Sequence, residues 1–245
     1  MTTTTLSAEQ MTELKVTLLQ ACRILYAEEV MEGPTGHISV RIPGAQRMLI
    51  KPVMIGFEEI TQDEFILMEF SGEKLQGGGN VGQVPAEYHI HSEIYKARPE
   101  IASVVHTHPP YTVALSACSE TPKAYNFESS AFSDGVPMFD EVTDAITTPE
   151  LGQAVVRALG QKLSVVLKNH GVAIAGSSIQ DACLRNVRLE KAAWMHILAN
   201  SAGNPTPLKP SRGGLLTNPQ VAQSRAQPTW DYFVRRSERI LSGKR

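Results

Sequence analysis

The chain has 245 residues, of which 42% are hydrophobic and 20% charged, and its formal net charge is −2. This composition excludes a chain that is disordered throughout, and the near-zero charge gives no electrostatic argument for a nucleic-acid or membrane partner. No apolar run reaches the ~18 residues of a membrane helix. The segment 1–10 lacks the basic and apolar regions of a secretory signal, and three widely spaced cysteines predict no disulfide framework. We therefore expect a cytoplasmic protein.

The first third of the chain predicts one long helix followed by strands. Apolar residues at helical spacing predict a helix over 8–30, with Ser7 and Gln10 in a capping-box pattern. Turn residues at 33–36 end that helix. Short apolar or alternating runs then predict three strands, at 37–44, 48–56 and 65–75, before a glycine-rich loop at 77–82.

The remaining two thirds mix helices with short strands. Helical periodicity, proline starts and glycine ends predict five helices, at 85–100, 109–118, 147–160, 178–200 and 229–241. Apolar β-rich runs predict one strand at 101–108 and two at 163–176, while 119–145 and 201–222 read as irregular.

Several neighbouring strands are joined by short turns, which favours an α/β layered domain with antiparallel pairing over a succession of βαβ units. We predict one domain over 1–203. The segment 204–245 is expected to be a C-terminal loop and an amphipathic helix that packs on the domain or on a neighbouring subunit.

Two histidines at the end of a predicted strand suggest a metal site. His106 and His108 are two residues apart, so a strand would project both imidazoles from one face. His170, in the tight turn Asn169-His170-Gly171, is a candidate third ligand, and three neutral ligands leave the open position of a catalytic site. The alternatives are a pair of partly exposed histidines and a turn histidine that caps a backbone carbonyl.

A carboxylate precedes this strand. Glu87 and His91 are spaced i,i+4 in the predicted helix over 85–100, so they are expected to share a helix face. If that face points at the metal, Glu87 is either a fourth ligand or a general acid/base.

These motifs together resemble the class II aldolase and adducin family over roughly residues 10–200. The motifs are Pro85-Ala-Glu87-x-x-x-His91, His106-x-His108-Pro109 and Asn169-His170-Gly171. The resemblance implies a three-layer α/β/α domain around a mainly antiparallel sheet. It also implies one divalent ion per subunit, zinc or manganese, held by the three histidines, with Glu87 as acid/base or auxiliary ligand. A homotetramer with active sites at subunit contacts is implied as well.

Two segments differ from the phosphate-holding segments of the family's sugar-phosphate members. Gly-Asn-x-Ser reads Gly36-His37-Ile38-Ser39, and Thr-Pro-Ser-Gly reads Lys51-Pro52-Val53-Met54. An apolar wall with cationic neighbours resembles the branch that decarboxylates hydroxylated aromatic or pyridine carboxylic acids. The expected substrate-binding residues are His37, Ser39, Arg41, Lys51 and His91.

The leading hypothesis is therefore a metal-dependent lyase that decarboxylates such an acid, with Arg41 or Lys51 holding a second carboxylate. The first alternative is an aldolase acting on an unphosphorylated hydroxy-carbonyl compound. A sugar-phosphate aldolase or epimerase ranks below it, and a non-catalytic, adducin-like scaffold is last, because the ligands are intact.

Overall fold

The computed structural model of the protein describes residues 6–31, 33–210 and 219–243. Its strands are β1 (His37–Arg41), β2 (Arg47–Ile50), β3 (Ile66–Glu69), β4 (Lys74–Gln76), β5 (Ser103–Thr107), β6 (Met138–Phe139), β7 (Ser164–Leu167) and β8 (Gly171–Gly176). Its α-helices are α1 (Ala8–Ala27), α2 (Tyr88–Ala97), α3 (Pro110–Ala117), α4 (Pro149–Leu159), α5 (Ile179–Ala202) and α6 (Pro219–Leu241). Two 3-10 turns cover Gln62–Glu64 and Phe127–Phe132.

The eight strands form one sheet in the order β4-β3-β2-β1-β5-β8-β7-β6. All neighbouring pairs are antiparallel except β6 and β7, which are parallel. The predicted mainly antiparallel α/β architecture is thereby confirmed. In the centre of the sheet, β5 lies between β1 and β8, so that His106 pairs with His37 on one side and with Ala173 on the other.

Helices cover both faces of the sheet, which confirms the three layers. On one face, α1, α5 and α6 enclose a core cluster that includes Leu25, Ile38 and Ile174. On the other face, α2 and α4 enclose a second cluster that includes Ile94 and Val104. The residues that alternate along β1 and β5 therefore contribute to two different cores.

Two polar residues of β1, His37 and Ser39, are buried, although their alternation with apolar residues suggests a half-exposed strand. His37 is 1% exposed and Ser39 is 0% exposed. Both lie on the face of the sheet that α2 covers, where His91 and Tyr95 of α2 provide polar partners. Burial without loss of hydrogen bonds is possible because the partners come from another element.

Several element boundaries differ from the prediction. The first helix ends at Ala27, and β2 ends at Ile50, just before the Lys51-Pro52 pair. The helix predicted from residue 85 begins at Tyr88, since Pro85, whose carbonyl accepts the Tyr88 N–H, opens a turn instead. The final helix begins at Pro219 rather than at residue 229. Part of the predicted loop, 211–218, lies outside the described residues, as does the start of the N-terminal segment, 1–5.

The C-terminal helix packs on α1 of the same chain. Trp230 of α6 is buried in the cluster beneath α1. The Glu28 carboxylate, at the end of α1, accepts hydrogen bonds from Lys191 Nζ at 2.6 Å and from Arg236 Nε at 2.5 Å, which joins α1, α5 and α6. Within the described ranges, no helix combines the length and apolarity needed to cross a bilayer.

Candidate active site

His106 is the buried member of the histidine pair on β5. Its Nδ1–H faces the Val172 carbonyl oxygen of the neighbouring strand β8 at 2.9 Å, and a carbonyl oxygen can only accept. The proton is therefore assigned to Nδ1, which leaves the Nε2 lone pair free to coordinate a metal. The central position of β5 in the sheet thus sets both the orientation and the tautomer of this imidazole.

His108 follows the end of β5 and lies beside His106. The two Nε2 atoms are 3.1 Å apart, and the ring centroids are 4.9 Å apart. The His108 backbone N–H donates to the Met31 sulfur at 3.3 Å, which holds the chain where it leaves the strand. The sequence spacing alone predicts this convergence of the two imidazoles.

His170 comes from the turn between β7 and β8. The preceding Asn169 has a φ of 58°, a left-handed conformation that asparagine tolerates better than most residues. The Asn169 N–H donates to Ser116 Oγ at 2.9 Å, which fixes the turn on α3. The His170 ring centroid is then 5.0 Å from that of His106 and 5.2 Å from that of His108.

Glu87 completes the cluster from the opposite side. It lies at the N-cap position of α2 rather than within the helix. Its Oε1 accepts the Ile146 N–H at 2.8 Å and is 3.5 Å from His170 Nε2, while its Oε2 is 3.4 Å from His106 Nε2. One ligand atom from each of Glu87 and the three histidines lies within 4.8 Å of all the others. The structure therefore brings all four predicted residues together.

The charge state of the cluster suits a divalent cation. Burial by itself raises the pKa of Glu87, but the adjacent His106 and His170 imidazoles, together with the Ile146 N–H that donates to the carboxylate, outweigh burial and hold the pKa well below its usual range. Burial, followed by the nearby His106 and His170, lowers the pKa of His108 to about 4, so this imidazole is neutral at pH 7. Neutral imidazole and ionised carboxylate are the forms that coordinate metals.

Behind the cluster, a line of buried side chains connects β1 with α2. His37 Nδ1 is 2.6 Å from His91 Nε2, and His91 Nδ1 is 2.6 Å from Ser39 Oγ. Ser39 Oγ is in turn 2.7 Å from the Tyr95 hydroxyl. The His37 ring centroid lies 5.0 Å from that of His106. His91 thus lies behind His37, with His37 and Ser39 as its hydrogen-bond partners, while Glu87 stands at the N-cap of the same helix.

Lys51 does not present its ammonium group to the cluster. Its side chain is fully buried, and Nζ donates to the carbonyl oxygens of Ile55 at 2.5 Å, Pro52 at 2.8 Å and Gly36 at 3.4 Å. Nζ also lies 4.5 Å from the centroid of the Phe57 ring. An ammonium group has three hydrogens, and the three carbonyls use all of them. The expected substrate contact is therefore replaced by a structural one.

Arg41 is likewise engaged elsewhere. Its guanidinium donates to the backbone carbonyls of Tyr95, in the last turn of α2, and of Arg98 and Ile101, which follow the helix. The residue stands at the opposite end of β1 from His37. The predicted bidentate contact with a substrate carboxylate is therefore corrected. Of the five expected substrate-binding residues, only His37 has a ring nitrogen without a hydrogen-bond partner in the described ranges.

Three groups that support the site were not predicted from the sequence: the Tyr95 side chain and two backbone groups. Tyr95 follows His91 by four residues on α2, so helical spacing could have placed it on the same face. The Ile146 N–H that anchors Glu87 and the Val172 carbonyl that orients His106 carry no side-chain signal. Nothing in a local pattern would have identified them.

The fold and the cluster together define an α/β protein with a candidate metal centre at one end of its central strands. The chain belongs to the family described as "Class II Aldolase and Adducin N-terminal domain", whose model matches residues 16–197.

Relatives and solved structures agree with this family. The chain is 33% identical over 199 residues to the 3,4-dihydroxyphthalate decarboxylase of Rhodococcus jostii (strain RHA1), an alignment that covers 77% of this chain and 81% of the relative. Its structure is similar to that of an aldolase II superfamily protein from Pseudomonas syringae, with a TM-score of 0.81, 27% identity and coverage of 96% and 95% of the two chains. For the L-fuculose 1-phosphate aldolase from Glaciozyma antarctica PI12, the TM-score is 0.80, with 27% identity and coverage of 98% and 94%.

Proposed function

We propose that the protein is a metal-dependent lyase that decarboxylates a hydroxylated aromatic or pyridine carboxylic acid. The observation that carries this proposal is the cluster of Glu87, His106, His108 and His170, whose ligand atoms lie within 4.8 Å of one another. The similarity to a 3,4-dihydroxyphthalate decarboxylase supports decarboxylation and a substrate with hydroxyl and carboxylate groups on one ring.

The residues fit one divalent cation per subunit, either zinc or manganese, because three imidazoles and a carboxylate suit both ions. His106 is oriented for this role, since its Nδ1 is bonded to a backbone carbonyl and its Nε2 is directed to the cluster. When bound, the cation would act as a Lewis acid toward the substrate's oxygens and stabilise negative charge.

In this reaction the bond between the ring and the carboxylate breaks, and its electron pair stays with the ring until a proton reaches the vacated carbon. The carboxylate leaves as CO₂, and Glu87, ionised at the outset, is the group positioned to take the proton of the ring hydroxyl and return it to the vacated carbon, either directly or through a water molecule. Its Oε1 is held by the Ile146 N–H, while Oε2 has no backbone contact in the described ranges. Whether Glu87 acts mainly as ligand or as acid/base is decided by the Glu87→Gln experiment below.

The segment 51–54, which we propose as a wall of the substrate pocket, favours a flat substrate over a phosphate ester. Met54 is 46% exposed and has a φ of 70°, and its N–H donates a hydrogen bond to the Pro34 carbonyl oxygen. Phosphate sites usually rely on free backbone N–H groups and small hydroxyls. Val53 and Met54 offer apolar side chains instead, and Lys51 is engaged with the backbone carbonyls of Pro52 and Ile55.

The second candidate is an aldolase, and the observation that favours it is the structural similarity to an L-fuculose 1-phosphate aldolase. Here Glu87 would remove or return the proton next to a carbonyl group. The same cluster would serve both reactions, because each develops negative charge that a bound cation would stabilise.

An activity panel separates the two candidates. Purified protein loaded with zinc or with manganese is assayed for CO₂ release from 3,4-dihydroxyphthalate and from hydroxylated pyridine dicarboxylates. It is assayed in parallel for aldol cleavage of L-fuculose 1-phosphate and of small unphosphorylated hydroxy-ketones. We expect CO₂ release and weak or no cleavage of the sugar phosphate. Efficient aldol cleavage without any CO₂ release would overturn the decarboxylase proposal.

We further propose a homotetramer with active sites at subunit contacts. The exposure of Trp194 and Leu198, one turn apart on α5, supports an interface on this helix. Light scattering during gel filtration tests the assembly, with a monomer as the contrary result.

A further inference from the structure

Four buried polar side chains form a continuous hydrogen-bonded chain that ends at the wall of the metal-ligand cluster. In order, they are Tyr95, Ser39, His91 and His37. Each of the four is no more than 1% exposed. Buried donors and acceptors are nearly always paired, so the direction in which each proton points can be deduced from the partners available.

The phenol of Tyr95 sets the direction. Burial raises the pKa of Tyr95, so its hydroxyl stays protonated. Its partners in the described part of the chain are the Val104 backbone N–H, which can only donate, and Ser39 Oγ, which can accept. If Ser39 donated to Tyr95, the phenolic hydrogen would be buried without an acceptor, which is unfavourable. Tyr95 therefore donates to Ser39, and the Ser39 hydroxyl donates to His91 Nδ1.

The two imidazoles then follow in turn. A ring nitrogen that accepts a hydrogen bond carries no proton, so an imidazole that accepts at Nδ1 is neutral and has its single proton on Nε2. A neutral imidazole has one donor and one acceptor nitrogen. Since His91 accepts at Nδ1, it donates from Nε2 to His37 Nδ1. His37 consequently carries its own proton on Nε2.

This N–H lies at the substrate side of the chain. No residue in the described ranges is hydrogen-bonded to His37 Nε2. His37 is paired with His106 across β1 and β5, and the two ring centroids are 5.0 Å apart. We propose that His37 Nε2–H binds a carboxylate or phenolate oxygen of the substrate, and that Tyr95, Ser39 and His91 position it by fixing its tautomer.

The tautomer matters for specificity. With the proton on Nε2, His37 attracts an anionic oxygen next to the cluster, whereas the other tautomer would turn a lone pair toward that oxygen and repel it. The chain thereby supplies a neutral donor where Arg41 and Lys51 supply no cation. The substrate contact of His37 rests on the proposed function, whereas the assignment of its tautomer does not.

Nitrogen-15 NMR of histidine-labelled protein, with and without zinc, tests the tautomer of His37 without any substrate. His37→Asn and His91→Asn spectra assign the two rings. In the wild-type protein we expect both rings protonated at Nε2 and unprotonated at Nδ1. Tyr95→Phe removes the donor that sets the direction, so the Nδ1–H form of His37 should appear, and Ser39→Ala provides a second variant if Tyr95→Phe does not fold. A wild-type His37 protonated at Nδ1 would overturn the inference.

Binding of salicylate to the zinc-loaded protein, measured by calorimetry, tests the substrate contact of His37. His37→Asn keeps a polar group at the position of Nδ1 but loses the donor at Nε2, so Kd should rise about tenfold or more. His37→Gln reaches the Nε2 position with an N–H and should recover part of that loss. His89→Asn, on the same helix as His91 but outside the chain of four, is the control and should bind like the wild type.

The outcomes of this binding experiment are distinguishable. If His37→Asn binds salicylate as tightly as the wild type, the substrate contact is wrong. If the wild-type protein itself binds no salicylate, the proposed substrate class and the substrate contact of His37 fail together. The NMR result then still decides whether the chain fixes the His37 tautomer.

Discussion

Gly171 approaches Thr107 so closely that a Cβ atom at Gly171 would lie 2.4 Å from the Thr107 carbonyl oxygen. The same atom would lie 2.8 Å from Cδ2 of His108. Glycine at this position lets β8 start directly against the end of β5. This close approach brings the turn that carries His170 to the two histidines of β5.

We therefore expect Gly171→Ala to disrupt the metal centre. The added methyl group must push β8 away from the end of β5, because backbone atoms cannot yield as a flexible side chain does. Zinc content, measured by mass spectrometry after dialysis, should fall, and the melting temperature should fall with it. Gly135→Ala is a matched control: its φ of 87° strains alanine by roughly 1–2 kcal/mol, yet it has no neighbour within 4 Å of the added atom. Full zinc content in Gly171→Ala would contradict this account.

Each histidine of the cluster should be needed for metal binding. His106→Ala, His108→Ala and His170→Ala each remove one ligand atom from a group whose members lie within 4.8 Å of one another. We expect metal content and activity to drop sharply in all three proteins, while circular dichroism remains that of a folded protein for His108→Ala and His170→Ala, whose side chains are only partly buried. Full metal occupancy in the last two variants would remove these residues from the ligand set.

Glu87→Gln should separate catalysis from coordination. Glutamine keeps the shape and the acceptor for the Ile146 N–H but removes the negative charge and the proton-transfer group. Turnover should fall by about 10²–10⁴-fold, the range typical of an acid/base residue. Metal content should fall less than in the histidine variants. Glu100→Gln, whose carboxylate pairs with Arg98 at the surface, is the control. Turnover near that of the wild type would exclude catalysis by Glu87, and complete metal loss would make it a ligand.

His91 should make the stability of the metal-free protein depend on pH. Burial, and next the nearby His106, lower its pKa from 6.5 to about 3. Between these values the unfolded chain binds a proton that the folded protein does not, so the free energy of unfolding falls as the pH drops from 6.5 toward 3. The contribution approaches ~1.4 kcal/mol per pH unit.

Urea unfolding of wild-type protein and His91→Asn across this pH range measures the contribution of His91. The slope of the free energy of unfolding against pH should be shallower in the variant, and the two slopes should converge above pH 6.5, where folded and unfolded His91 are both neutral. Parallel slopes throughout would show that His91 is not held neutral by burial.

Much of the candidate site follows from local sequence patterns. The i,i+2 spacing of His106 and His108 sends both side chains to one face once the segment is a strand. Asn169 and Gly171 permit the left-handed turn and the close strand approach that present His170. Such signals are readable because they depend on backbone geometry within a few residues.

The polar line behind the cluster could not be read in this way. Ser39 and His91 are separated by 52 residues, and Ser39 and Tyr95 by 56. Alternation in β1 indicates a strand with a polar face, but it cannot say whether water or another element satisfies that face. The packing of α2 on the sheet decides it, and burial turns ordinary polar residues into a directed hydrogen-bonded chain.

The sequence by itself indicated the α/β class and made the three histidines and Glu87 candidates, because periodicity and turn chemistry act over short distances along the chain. The resemblance of the combined motifs to one family then implied that they form a single ligand set. Only the tertiary structure decided what Lys51 and Arg41 do. Their charges suggest substrate carboxylates, yet both are satisfied by backbone carbonyls that come together only when the chain folds. A buried cation must find acceptors or pay a large desolvation cost, and which acceptors lie within reach depends on long-range packing.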